Sequence, residues 1–196
     1  MNNFGVPTSK VKRDGLSSAL RKFSAVALVA TLTVGISVGS TSAFAESKPT
    51  KNPYGAAPAI DPAAPNDPIL VMQNGAKSVK YSYNSLLKMK LYTISIFEPF
   101  VKQRQKFTCV SVKQLFDAVG IKASQKVSTI ALNDYIYKNV AGGFTASDGC
   151  LAVKRNGLPI PYDQGGPIRL IYPDKSAWAT VLNAWNWSLS TIKSIS

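Results

Sequence analysis

The stretch FTCVSVKQLFDAVG, residues 107–120, changes its periodicity halfway through. Phe107 to Val110 is aromatic and β-branched, which favours an extended lead-in. From Val112 the apolar residues recur at helical spacing, with Leu115, Phe116 and Val119 on one face. Ser111 stands where a helix N-cap belongs, and Gly120 stands where a left-handed stop belongs. A short strand running into a short helix is therefore expected here. The stretch also holds Cys109, one of two cysteines in the chain. Its residue type alone leaves four roles open: metal ligand, half of a disulfide, reactive thiol, or small apolar filler.

Working outward, strand signals dominate. Ile69–Met72 reads as a strand ending at the turn pair Asn74-Gly75. Ser82 is placed to cap a short helix that buries Leu86 and Leu87. LYTISIF (91–97) alternates as a strand does, and the polar run Lys102–Lys106 after Pro99 reads as a loop. VSTIAL (127–132), CLAVKR (150–155), IRLIY (168–172) and the tail SLSTIKSIS add strands. Gly142-Gly143 and Gly165-Gly166 read as turns. The expected class is α+β, a mixed and mainly antiparallel sheet with a few short helices, rather than repeated βαβ units.

The N-terminus reads as an export signal. Lys10, Lys12, Arg13, Arg21 and Lys22 precede an apolar run from Phe23 to Val38, and Ala43-Phe44-Ala45 fits a cleavage site before Glu46. The run is diluted by Ser, Thr and Gly and lacks a following basic stop-transfer cluster, so cleavage is favoured over anchoring. Lys12-Arg13 is only a weak variant of a twin-arginine signal, which favours export in the unfolded state. Residues 46–68, ESKPTKNPYGAAPAIDPAAPNDP, have almost no large apolar side chains and read as a Pro/Ala-rich linker. The expected organisation is thus a signal peptide at 1–45, a linker at 46–68 and one domain at 69–196.

Of 23 Lys and Arg and 10 Asp and Glu, five basic and one acidic residue lie in the first 45 positions, which leaves 18 against 9 in the exported chain. Such a surface suits anionic partners: a small-molecule anion, a membrane or a cell-wall polymer. The cations are scattered without a nucleic-acid signature, so no nucleic-acid partner is expected.

The chain has no histidine. This excludes catalysis through a Ser-His or Cys-His pair and any histidine-ligated metal. Two cysteines cannot make a four-cysteine site, and these are too far apart in sequence for a CxxC redox pair. Asp134, Asp148, Asp163 and Asp174 fall in expected loops, where polar residues are the default. Residue types and spacing leave the function open.

Five ordered segments carry a resemblance. They are SLLKMKLYTISI, FTCVSVKQLFDAVG, ALNDYIYKNV, VKRNGLPIPYDQGGPIRLIYP and WNWSLSTIKSIS, which together span most of 81–196. In this order they resemble the sulfite oxidase-type molybdopterin-binding domain, particularly its short, exported, stand-alone members. The resemblance implies that fold and a pocket near Asn133, Asp134, Tyr135 and Arg169, with molybdopterin as the cofactor of the enzymes in the family. In those enzymes the metal-binding cysteine lies on the strand that here reads LYTISIF, which has no thiol. Cys109 falls one motif later, where the family usually has glycine. The basic segment near the end is altered to LNAWNWSL, without a lysine before the tryptophan, while Arg169 is kept.

No catalytic residue and no protein metal ligand is therefore expected, and no cofactor, with molybdopterin as the alternative. With an even cysteine count and an oxidising destination, Cys109 and Cys150 are expected to be bridged. Asn133 and Asp134 suit either a pocket or an Asx-turn, and Tyr135 either ligand stacking or core cover. Arg169 suits either an anion or a pairing with Asp163 or Asp174. Trp178, Trp185 and Trp187 are candidates for an aromatic ledge. The expected function is an exported, non-catalytic ligand-binding, sensory or accessory domain, with a redox or sensor protein as a possible partner. The alternatives are a molybdopterin-dependent oxidoreductase subunit and a basic surface module for anionic polymers.

Overall fold

The computed structural model describes residues 52–54 and 60–195. The expected signal segment, 1–45, lies outside them. Among the described residues no helix is long and apolar enough to cross a membrane.

Among the described residues, ten strands and three short α-helices follow one another as β1 (Pro68–Asn74), β2 (Lys77–Ser82), α1 (Tyr83–Leu87), β3 (Leu91–Glu98), β4 (Gln103–Ser111), α2 (Val112–Val119), β5 (Lys126–Ala131), β6 (Ile136–Val140), α3 (Ala141–Ala146), β7 (Cys150–Arg155), β8 (Leu158–Pro159), β9 (Arg169–Ile171) and β10 (Leu189–Ile195). One sheet has the order β2-β1-β10-β5-β6. The other runs β3-β4-β7-β8, with β9 also paired to β7. Among the described residues only β1 and β10 pair in parallel, which makes the fold α+β with mainly antiparallel sheets. The first and last of these strands meet there, Met72 opposite Ile192, and both side chains are fully buried.

The stretch 107–120 forms the end of β4 followed directly by α2. Leu115, Phe116 and Val119 are buried, and Gly120 closes the helix with φ +77°. Ser111 occupies the N-cap position but makes no side-chain capping bond. Instead the first helical amide, on Val112, donates to the Gly149 carbonyl at 3.0 Å. At α1 the expected cap is made, with the Ser85 amide donating to Ser82 Oγ at 3.1 Å.

Two local expectations are corrected. The polar run Lys102–Lys106 is not a loop, because β4 begins at Gln103 and pairs with β3 through eight successive positions, from Leu91 opposite Val110 to Glu98 opposite Gln103. Gln103, Arg104 and Lys106 are exposed, so this strand end carries polar residues without an apolar alternation to mark it. Gly142-Gly143 is not a turn but lies inside α3. Gly143 is there for close packing, since a Cβ on it would overlap the Trp178 ring.

Cys109 on β4 and Cys150 at the start of β7 form a disulfide, with Cα atoms 5.4 Å apart. Both are fully buried in the core with Phe107, Val110, Leu151 and Val153. Their strands are neighbours, with Cys109 paired opposite Ala152 and Ser111 opposite Cys150.

Candidate functional site

Arg169 opens β9 and has no exposed surface. Its Nη2 donates to Glu98 Oε1 at 2.6 Å, and Glu98 is equally buried. The other carboxylate oxygen of Glu98 accepts the amides of Phe100 and Val101, at 2.9 and 2.7 Å. Glu98 therefore ties the β3–β4 turn to the arginine. Of the two roles left open for Arg169, the pairing one is thus corrected in its partner, which is Glu98 and not Asp163 or Asp174. Asp174 instead accepts from Arg104 at 3.0 Å and from the Phe97 amide at 2.8 Å.

Glu98 satisfies only part of the guanidinium. Arg169 Nε and Nη1 are buried without a hydrogen-bond partner among the described residues, as is Trp187 Nε1. Aromatic faces enclose the cation instead. Its Cζ lies 5.0 Å from the Tyr54 ring centre, 5.2 Å from Trp187 and 5.8 Å from Phe107. All three are within the ~6 Å over which a ring quadrupole attracts a cation.

In front of this cluster is a cavity of about 300 Å³ with aromatic walls. Phe100, Trp185 and Trp187 form one wall, the Phe100 and Trp187 rings meeting edge-on at 4.2 Å. Ala131, Asn133 and Tyr135 come from the end of β5 and its turn, and Leu182 and Asn183 from the segment before β10. Tyr135 Oη donates to the Asn183 carbonyl at 2.9 Å, linking these two rims. Tyr54 completes the lining. Partial burial raises the Tyr135 hydroxyl above its ordinary pKa, with a smaller contribution from Tyr137.

The four residues singled out in the sequence are thus divided. Asn133 and Tyr135 line the cavity, whereas Asp134 does not. Asp134 sits in the tight turn with φ +63°, and its amide donates to the Ala131 carbonyl at 3.1 Å. Arg169 lies behind Tyr54 and Trp187 rather than on the wall. Of the three tryptophans, Trp185 and Trp187 are in the lining. Trp178 packs inward against Phe144 and Tyr172, with ring centres 4.9 and 5.4 Å away.

Two residues escaped the sequence reading. Glu98 was readable only as the single charge in the apolar stretch FEPF. Tyr54 belongs to the expected linker, where composition implies no packing, yet its ring meets Trp187 at 5.0 Å. Its hydroxyl accepts from Arg155 Nη1 at 3.1 Å.

The side chains present do not fit a molybdenum held by protein sulfur. β3 has no cysteine, and both cysteines of the chain are spent in the disulfide. Among the described residues no group of three or more His, Cys, Asp or Glu is placed to hold a metal.

No curated protein matches the chain. Among solved structures, the sulfane dehydrogenase SoxCD from Paracoccus pantotrophus superposes with a TM-score of 0.54 at 16% identity, over 71% of this chain and 40% of that one. This likeness concerns the fold, and the chain spans well under half the length of that protein chain. The family model described as "Oxidoreductase molybdopterin binding domain" matches residues 98–191, from the buried Glu98 into β10. Residues 98–191 are thus similar to the oxidoreductase molybdopterin-binding domain, and the fold is similar to that of a sulfane dehydrogenase, as the sequence motifs implied.

Proposed function

We propose that this is an exported, non-catalytic member of the family, acting as a ligand-binding domain in a sensory or accessory role at the cell surface. The observation that carries the reading is the state of Cys109. Its sulfur is bonded to Cys150 inside the core and has no exposed surface, so it offers no thiolate to a metal or a substrate. The site keeps what recognition needs. The aromatic walls provide flat apolar area, while Asn133, Asn183 and Trp187 provide polar groups at the rim and base. The proposed ligand is a small planar molecule with an anionic group, its ring against Trp187 and Phe100 and its charge directed toward Arg169 and Arg155.

Native mass spectrometry of the full chain purified from its own host tests this. An organic anion retained by the wild type and lost from Tyr135→Ala supports the reading. Release of a molybdenum-containing species would replace it with the second reading, a molybdopterin-dependent oxidoreductase subunit, which the family match at 98–191 favours.

A further inference from the structure

Among the described residues of the proline-rich segment before β1, Tyr54 is the one that reaches the aromatic cavity. It is held from four sides. Asn52 Nδ2 donates to the Asp163 carbonyl, and Asn52 Oδ1 accepts from the Tyr54 amide at 3.0 Å. Arg155 Nη1 donates to the Tyr54 hydroxyl, while Nη2 of the same guanidinium donates to Gln164. The ring face covers Arg169 and its edge relation to Trp187 closes the remaining side. Tyr54 thus rests on two arginines and a tryptophan whose buried Nε1 is unpartnered. Arg169 beneath it also has two nitrogens, Nε and Nη1, without a hydrogen-bond partner among the described residues.

Buried donors without acceptors are costly, because each has given up its hydrogen bonds to water without replacement. An aromatic ring meets a cation but supplies no lone pair to its N–H groups in the guanidinium plane. Only two of these contacts are hydrogen bonds to Tyr54 itself, from its amide to Asn52 and from Arg155 to its hydroxyl, and both are part-buried, so each contributes modest net stability. A ligand carrying both a ring and an anionic group satisfies the socket better than a phenol does.

We propose that Tyr54 is a displaceable plug: it occupies the Arg155–Arg169–Trp187 socket in place of a planar anion and must leave before such a ligand seats fully. The inference rests on reading the cavity as a binding site. Arg155 is the latch, because it holds the plug through the hydroxyl and is freed to meet the ligand when the plug leaves.

The test uses the full chain and the dye 1-anilinonaphthalene-8-sulfonate, a planar ring system bearing one anionic group. Its dissociation constant is measured for wild type, Tyr54→Ala, Tyr54→Phe and Tyr54→Ala/Tyr135→Ala, with cooperative urea unfolding required of each. The plug predicts that Tyr54→Ala binds one dye at least tenfold more tightly than wild type. Tyr54→Phe, which keeps the ring but loses the latch, falls between them. Equal affinity for wild type and Tyr54→Ala overturns the plug. If Tyr54→Ala gains affinity but adding Tyr135→Ala changes nothing, the plug stands and the wider cavity is not the binding site.

Discussion

Arg169 and Glu98 meet at 2.6 Å with no exposed surface on either side chain, 71 residues apart in sequence. Their pairing joins the first residue of β9 to the end of β3, where the chain turns into β4. The carboxylate is well satisfied, by one guanidinium and two backbone amides, whereas the guanidinium is satisfied at one nitrogen and otherwise packed against rings. The pair neutralises charge in the interior and leaves the arginine with donors to spare.

Breaking the pair from either side leaves an uncompensated buried charge. Glu98→Ala is expected to lower stability by about 3–5 kcal/mol, and Arg169→Ala by a similar amount. Replacing both with apolar residues of matching volume should restore much of the loss, since the surviving charge then has gone. Urea denaturation of the singles and the Glu98→Leu/Arg169→Met double variant reads this directly. A double variant no more stable than the worse single would show that the charges are not the source of the loss.

The disulfide closes a loop spanning a sequence separation of 41 residues. Cys109→Ala/Cys150→Ala is expected to cost about 2–4 kcal/mol in the chain-entropy picture. The fold should survive, because both positions lie in a closed apolar cluster. Thermal unfolding with and without reductant checks it: the wild type loses stability on reduction and the double variant does not respond.

Gly143→Ala should destabilise by roughly 1–3 kcal/mol, because the added methyl meets the Trp178 ring in the core and forces α3 to shift. Near-ultraviolet circular dichroism of the tryptophans should change with it. Gly75→Ala tests a different cause, since its position has φ +58° and open space around it. Any cost there comes from the backbone alone.

Tyr172 is fully buried, and its hydroxyl donates to the Ala184 carbonyl at 3.4 Å. Burial, helped by Tyr137, raises its pKa well above the ordinary 10.0. Tyr92 is pushed up to about 12, by desolvation first and by Asp148 second. A raised tyrosine pKa means the folded chain keeps a proton that the unfolded chain releases. Stability is therefore unaffected by these groups below pH 10 and falls as pH rises beyond it. Tyr172→Phe should flatten that alkaline decline. A decline of unchanged slope in Tyr172→Phe would assign it to other groups.

The sequence exposed most of the fold because local signals agreed with the final structure. The Gly120 stop, the apolar face of α2 and the turn at Asn74-Gly75 are each written in adjacent residues. The start of β4 was hidden because its exposed end is polar on both faces, and α3 because Gly142-Gly143 mimics a turn. The site was less legible for a physical reason. Asn133 and Tyr135 sit in a motif, but Glu98 and Tyr54 acquire their roles only through partners far away in the chain. Glu98 depends on a residue 71 positions on, and the Arg155–Tyr54 bond spans 101 positions. No local pattern encodes such pairings.

The central claim is that Cys109 serves the core and no metal, which one measurement tests directly. The protein is purified from its own host without reductant, its thiols are counted after denaturation, and its molybdenum content is measured in the same sample. The account predicts no free thiol and no stoichiometric molybdenum. Two free thiols with one molybdenum per chain would contradict it and make the protein an oxidoreductase subunit.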